Sequence, residues 1–225
     1  MAIVASTPLP SDLSFGEMLS VGDVLERLGG ISPRRIPLGF SVGNATEEDL
    51  LNLLEHGDRI CELVDGVLVE KVMGWPESVL ASEVVFQFKQ FLKSHNFGVV
   101  SGEAGLMRIL PKQIRVPDVG FVRWERLPER KMPKERVLAC APNIAVEILS
   151  PSNTRGEMSR KLDDYFTAGV QLVWYIDPDT RTAQAFESVD RVTNYTAVEQ
   201  ITAGDVLPGF SLLLVELFAE LDKVG

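Results

Sequence analysis

Long apolar runs are missing from this 225-residue chain. No stretch approaches the roughly 20 apolar residues that a bilayer-crossing helix needs. The opening segment, Met1-Ala2-Ile3-Val4-Ala5-Ser6-Thr7-Pro8, lacks the basic region and apolar core of a signal peptide. These absences point to a cytoplasmic protein with no membrane partner. Cysteine is equally scarce. Cys61 and Cys140 stand far apart, which argues against a disulfide framework or a paired zinc motif and for two reduced, buried thiols. Histidine is limited to His56 and His95, each at the end of a helix-like segment, so a Ser/His/Asp triad or a His-rich metal site has little to draw on. Positive charge is also short. The net charge of −10 opposes non-specific adhesion to nucleic acid or anionic lipid, although it does not exclude an enzyme with one basic groove. Segment 123–136 carries Arg123, Arg126, Arg130, Lys131, Lys134 and Arg136 against Glu125, Glu129 and Glu135. It fits either a solvated face or such a groove. There is no phosphate-binding P-loop, no G-x-G-x-x-G and no internal repeat.

What is present is a regular alternation of elements. Residues 1–42 hold Pro8, Pro10, Pro33 and Pro37 and one short helical pattern, 22–28, ending at Gly29-Gly30. They form an extension expected to pack on a domain spanning 43–225. Thr46 as N-cap, with Asp49 three residues on, starts a helix that Gly57 ends. Asp65-Gly66 between the apolar runs 60–64 and 67–72 signals a hairpin. Pro76 opens a long helix to about Ser94, with Val79, Val84, Phe88, Phe91 and Leu92 toward the core. Strands are expected at 98–102, 106–110, 118–122, 143–149, 171–177, 182–187 and 191–196. Helices are expected at 155–168 and 212–221. The unit 143–149, helix, 171–177 predicts parallel pairing through a crossover. The fold class is α/β or α+β, a mixed sheet flanked by helices.

Two carboxylates stand where apolar residues belong. Glu147 interrupts Asn143-Ile144-Ala145-Val146-Glu147-Ile148-Leu149, and Asp118 follows Pro117 at the head of Val119-Gly120-Phe121-Val122. An ionised carboxylate in an apolar sheet is costly unless paired or bound to metal. Asp118 and Glu147 could share one divalent ion, with the Ile148 carbonyl as a third ligand. The alternatives are a Pro-Asp turn for Asp118 and a structural pairing with Arg or Lys for Glu147. On the following helix, Met158, Leu162, Tyr165, Phe166 and Gly169 share a face. Lys161 lies at its border, placed either to reach the sheet edge or to snorkel outward. Glu77 sits in the first turn of the long helix, favourable there for its own sake. If that helix end faces the site, Glu77 becomes a further metal or water ligand. Glu62, Glu103 and Arg115 are weaker candidates. Trp75, Trp124 and Trp174 have no stacking-platform spacing, and Trp174 reads as core.

Taken in order, several segments resemble a known family. They are Cys61-Glu62-Leu63-Val64-Asp65-Gly66, Arg115-Val116-Pro117-Asp118-Val119, Val146-Glu147-Ile148-Leu149-Ser150-Pro151-Ser152, Lys161 with Tyr165, and Val173-Trp174-Tyr175-Ile176-Asp177-Pro178. Over about residues 44–218 the set is similar to the Uma-two family, a restriction-endonuclease-like branch of the PD-(D/E)XK nuclease superfamily. The resemblance implies the restriction-endonuclease-like sheet between helices, with Asp118 and Glu147 as the two acids. It departs at Leu149, which stands where the motif lysine belongs. Lys161 is the implied replacement. A second departure is the lack of a His near Glu77.

The resemblance implies a Mg²⁺- or Mn²⁺-dependent endonuclease cutting DNA, with Asp118, Glu147 and Lys161 as catalytic residues, and Glu77 joins them as a candidate on its position at the helix start. It also implies a homodimer, since cutting both strands needs two sites. The alternative is a catalytically degenerate nuclease fold that serves as a nucleic-acid- or protein-binding module. The negative charge and Leu149 favour that alternative. The two retained acids and the substitute lysine favour the enzyme.

Overall fold

The computed structural model describes residues 20–57 and 59–224. The leading residues read above for a signal peptide lie outside that range, as do Pro8 and Pro10.

The central layer is a six-stranded mixed sheet. Its strands are β3 (Gly98–Ser101), β6 (Val119–Arg123), β7 (Ile144–Ile148), β8 (Leu172–Asp177), β9 (Thr182–Ser188) and β10 (Arg191–Thr196), in the spatial order β10-β9-β8-β7-β6-β3. Strands β7 and β8 are parallel, and the helix between them is α4 (Arg155–Thr167). Period-2 alternation assigns the faces. Val119, Phe121, Ile144, Val146, Ile148, Trp174 and Ile176 pack against α3 (Trp75–Ser94) and α5 (Leu214–Ala219). Val122, Ala145, Val173 and Tyr175 pack against Met158, Leu162 and Tyr165 of α4. With both faces covered, β7 is buried along its whole length, and Glu147 necessarily points into one of the cores.

A second sheet, β2-β1-β5-β4, was not separable from the first by pattern. It consists of β1 (Cys61–Val64), β2 (Val67–Glu70), β4 (Met107–Leu110) and β5 (Gln113–Arg115). Helix α2 (Glu47–His56) covers one side, with a full capping box between Thr46 and Asp49. The β1–β2 turn has Asp65 and Gly66 both at positive φ, as the expected hairpin demands. A Cβ on Gly66 would come within 2.4 Å of the Gly43 carbonyl oxygen. Only Val116-Pro117-Asp118 separates β5 from β6, so the chain crosses from one sheet to the other within this turn.

Several expectations shift. The seam of α3 runs through Leu80, Ala81, Val84 and Phe88, while Val79, Phe91 and Leu92 sit at its edge. Residues 212–221 do not form one helix. Leu212 lies in β12 (Ser211–Leu213), which pairs with β11 (Gln200–Thr202), and α5 follows. Cys61 is buried, with its thiol pushed up to about 11 by burial, but Cys140 is only half-buried. Both are free. His56 and His95 hydrogen-bond carbonyls one turn back, at Asn52 and Phe91, as helix-end residues do.

The described part of the extension begins with α1 (Val21–Arg27), and Val24, Leu28 and Ile31 pack on Val64, Val67 and Val69 of the hairpin. It also meets the start of α4 at backbone distance. A Cβ on Gly29 would fall 2.2 Å from the Glu157 nitrogen, and the Thr154 hydroxyl donates to the Gly29 carbonyl at 2.6 Å. Thr154 caps α4 as expected, but the reciprocal half of the capping box is absent. Glu157 instead takes a bidentate pair from Arg35 at 2.7 and 2.8 Å, both side chains buried. Arg35 also donates through Nε to the Glu70 carbonyl at 2.8 Å.

Arg35→Met should cost about 3–5 kcal/mol, because it strands the buried Glu157 charge. The double variant Arg35→Met/Glu157→Met should recover most of that loss. Urea denaturation of both variants, followed by far-UV circular dichroism, checks this.

Candidate active site

The candidate site lies where the two sheets meet. Glu62 comes from β1, Arg115 from the end of β5, Asp118 from the turn into β6, Glu147 from β7, and Lys161, Asp164 and Tyr165 from α4. Each is fixed by its element before any pairing is considered. Strands β6 and β7 are antiparallel with Val119 opposite Val146. Continuing that register sets Asp118 opposite Glu147, on the face turned toward α4. Residues 158, 161, 162 and 165 recur at helical spacing on the side of α4 that faces the sheet. Lys161 is therefore brought in with the apolar residues and is not left at the border.

All the charged heads are buried. Lys161 Nζ donates to Glu147 Oε2 at 2.8 Å and stands 3.3 Å from Glu62 Oε1. The Tyr165 hydroxyl donates to Glu147 Oε1 at 2.5 Å. Glu62 accepts from Arg115 at 2.7 Å and from the Val116 amide at 3.0 Å. Arg115 also pairs with Asp164. Asp118 Oδ2 accepts the Ile148 N–H at 2.6 Å. Thus the Ile148 amide, rather than the carbonyl expected as a metal ligand, is the group that meets Asp118. Asp118 Oδ1 takes no hydrogen bond among the described residues but lies 2.6 Å from Lys71 Nζ.

Burial and pairing set the protonation. Burial alone would raise the Glu62 carboxyl, but Lys161, Arg115 and Lys71 outweigh it and hold the group well below its usual range. Burial would lower Lys161, yet Glu147 and Glu62 keep it above its ordinary value and charged. Glu147 is pushed up, first by burial and then by Asp118 and Glu62, against the pull of Lys161 and Lys71. Burial and Glu147 raise the Tyr165 hydroxyl, so it stays a donor.

Asp118, Glu147 and Lys161 are thus brought together, and Glu62 and Arg115 join them. Glu77 is buried in the first turn of α3, with Oε2 folded over Gly74 and no hydrogen bond to it among the described residues. No hydrogen bond joins its Oε2 to either acid among the described residues. Lys71 and Asp164 were missed. Lys71 follows a strand buried on both faces, so no alternation singles it out. The basic segment 123–136 is partly paired within itself. Arg130 pairs with Glu125 and Lys131 with Glu129, while Arg126 binds the carbonyls of Ala141 and Pro142. Trp174 is fully buried, and Trp75 is 83% exposed.

Two hollows that share Ser78 and Glu103 lie beside the Lys71–Asp118 pair. One, of about 270 Å³, is lined by Lys71, Glu70, Gly74, Ser78 and Glu103, and the other, of about 300 Å³, by Asp118, Ser78, Ser82, Lys89 and Glu103. A larger cavity, about 710 Å³, lies past the end of β7 around Ser150, Asn153 and Gln184 and is lined by neither acid. The donor chemistry suits a hard divalent cation. Carboxylate oxygens are what Mg²⁺ takes, and it keeps several waters. The buried Oδ1 of Asp118 already faces a cationic group. No cluster of three His, Cys, Asp or Glu side chains surrounds one point among the described residues.

A family model described as "Putative restriction endonuclease", Uma2, matches residues 47–217. The match covers most of the chain, which belongs to this family. The fold is also that of a crystal structure titled "a putative nuclease belonging to DUF820" from Anabaena variabilis ATCC 29413. That protein is 20% identical, with a TM-score of 0.64 over 73% of this chain and 92% of the other. No curated protein matches. Among the described residues, no helix is long and apolar enough to cross a membrane.

Glu62→Gln should destabilise the fold by about 3 kcal/mol at pH 7. This is the low end for a broken buried pair, because Arg115 and Lys161 each keep another carboxylate. Glu62 has a depressed folded pKa, so its contribution is present above its unfolded value of about 4.3 and fades as pH falls below it. Glu147, whose folded pKa is raised, works in the opposite sense. Urea titrations between pH 7 and pH 3 should show a flatter acid limb for Glu62→Gln than for the wild type.

Proposed function

We propose that this chain is a nuclease that hydrolyses phosphodiester bonds of DNA with Mg²⁺ or Mn²⁺ held by Asp118 and Glu147. One observation carries it. Two buried carboxylates on neighbouring strands meet buried lysine ammoniums beside an open cleft, in a chain of a family described as restriction endonucleases. The Ile148 carbonyl is the third protein ligand in this reading. A bound ion polarises a phosphoryl oxygen and acidifies a coordinated water. The protein's own groups do the rest. The Ile148 amide fixes the Asp118 carboxylate, Tyr165 fixes Glu147, and Lys161 offers positive charge to a phosphate that gains charge as it is attacked. The ammonium arrives from α4 instead of the strand, which leaves Leu149 free to pack on the α4 core. Glu77, in the first turn of α3 next to Ser78 of the cleft, is a further catalytic candidate in this reading. A duplex cut on both strands needs two such centres, so a homodimer is the working assembly.

One observation favours a binding module. Both Glu147 oxygens are already occupied, one by Lys161 and the other by Tyr165.

A supercoiled-plasmid assay with Mg²⁺ or Mn²⁺ separates the two. The wild type should nick the plasmid, and chelator should stop it. Asp118→Ala and Glu147→Gln should fall to background, and Lys161→Met should lose on the order of 10²–10³-fold. DNA retardation without cleavage at any metal concentration would establish the binding module instead.

A further inference from the structure

Lys71 is the one buried ammonium at the site that no motif accounts for. Its backbone is anchored by the hydrogen bond from its amide to the Ile60 carbonyl, at 2.8 Å. Its side chain, 9% exposed, ends 2.6 Å from Asp118 Oδ1 and donates to the Val116 carbonyl at 2.5 Å. Asp118 Oδ2 is committed to the Ile148 amide. Oδ1 is therefore the oxygen left for a cation, and Lys71 holds it.

We propose that Lys71 is a tethered counter-ion that occupies Asp118 until a divalent cation displaces it, and that Lys71 thereby sets the metal affinity of the site. This rests on the metal reading given above. Three features support displacement over a permanent pair. A lysine head is a compact charge on a flexible four-carbon stem, able to move while its backbone stays fixed. The Lys71–Asp118 pair stands between two hollows, Lys71 lining one and Asp118 the other. Glu103 lines both hollows, and its buried Oε2 takes no hydrogen bond among the described residues. A displaced ammonium thus has an acidic destination in the same cleft. Lys161 has no comparable exit, because it is held between two carboxylates beneath α4.

Isothermal calorimetry of Mn²⁺ and Mg²⁺ binding to the full chain tests this. Lys71→Met keeps the apolar stem and removes the competing charge. It should bind the ion about tenfold more tightly, within the usual range for coupled ligands. Lys71→Arg should stay near the wild type. Melting temperatures provide a second readout. Lys71→Met should melt lower than the wild type in chelator and gain more from added Mn²⁺, and Lys71→Gln serves if the Met variant misfolds. Equal or weaker binding by the charge-free variant overturns the role of Lys71 and leaves the metal site standing. Absence of binding heat in wild type and variants alike overturns the metal site itself, and the proposal with it.

Discussion

The contact on which the rest depends is the carboxylate of Glu62. It belongs to the smaller sheet, and its partners come from the neighbouring strand β5, from the turn into the larger sheet, and from α4. A carboxylate so deeply buried is tolerated only when its oxygens are paired, and removing any one partner leaves the others with uncompensated charge. Arg115, Val116 and Lys161 are therefore held in mutual position by one desolvated anion. The distance between the sheets is set by the same contact, and with it the place where Asp118 meets Glu147.

This arrangement makes α4 the decisive helix. Its N-terminal turn is pinned by Arg35 through Glu157, and its start touches the extension at Gly29. Its middle carries Lys161, Asp164 and Tyr165 into the ion-pair lattice. Arg35 binds the carbonyl of Glu70 as well, so the residue before Lys71 and the turn before Lys161 rest on the same guanidinium. Arg35 lies outside the stretch matched to the family. The site is thus braced from outside the matched stretch.

In the proposed nuclease, the chemistry needs an ammonium near two carboxylates, not a particular backbone position for it. The strand position, now Leu149, packs against the apolar side of α4, and the same helix returns the charge at Lys161. Two buried lysines result. Lys161 is clamped between Glu147 and Glu62. Lys71 approaches Asp118 from the hairpin and borders open space.

Periodicity made much of this legible in advance. The Asp-Gly hairpin, the capped helix after Thr46, the long helix after Pro76 and the parallel pair around α4 all follow from local signals acting over a few residues. So does the oddity of Asp118 and Glu147, because a charge inside an apolar run is visible without a fold. Other features were out of reach. The chain divides into two sheets because strands distant in sequence pair, and short strands such as Gln113–Arg115 carry too little pattern to show it. Glu157, three residues after the N-cap Thr154, serves Arg35 across the fold. Lys71 falls inside the run 67–72, where nothing local marks it. The sequence by itself determined where the longer helices, strands and the hairpin turn lie, and which two acids are out of place, because those depend on neighbours along the chain. Which cation faces which acid was decided only by the tertiary structure, because ion pairing in a buried site depends on proximity in space, and the partners come from separate elements.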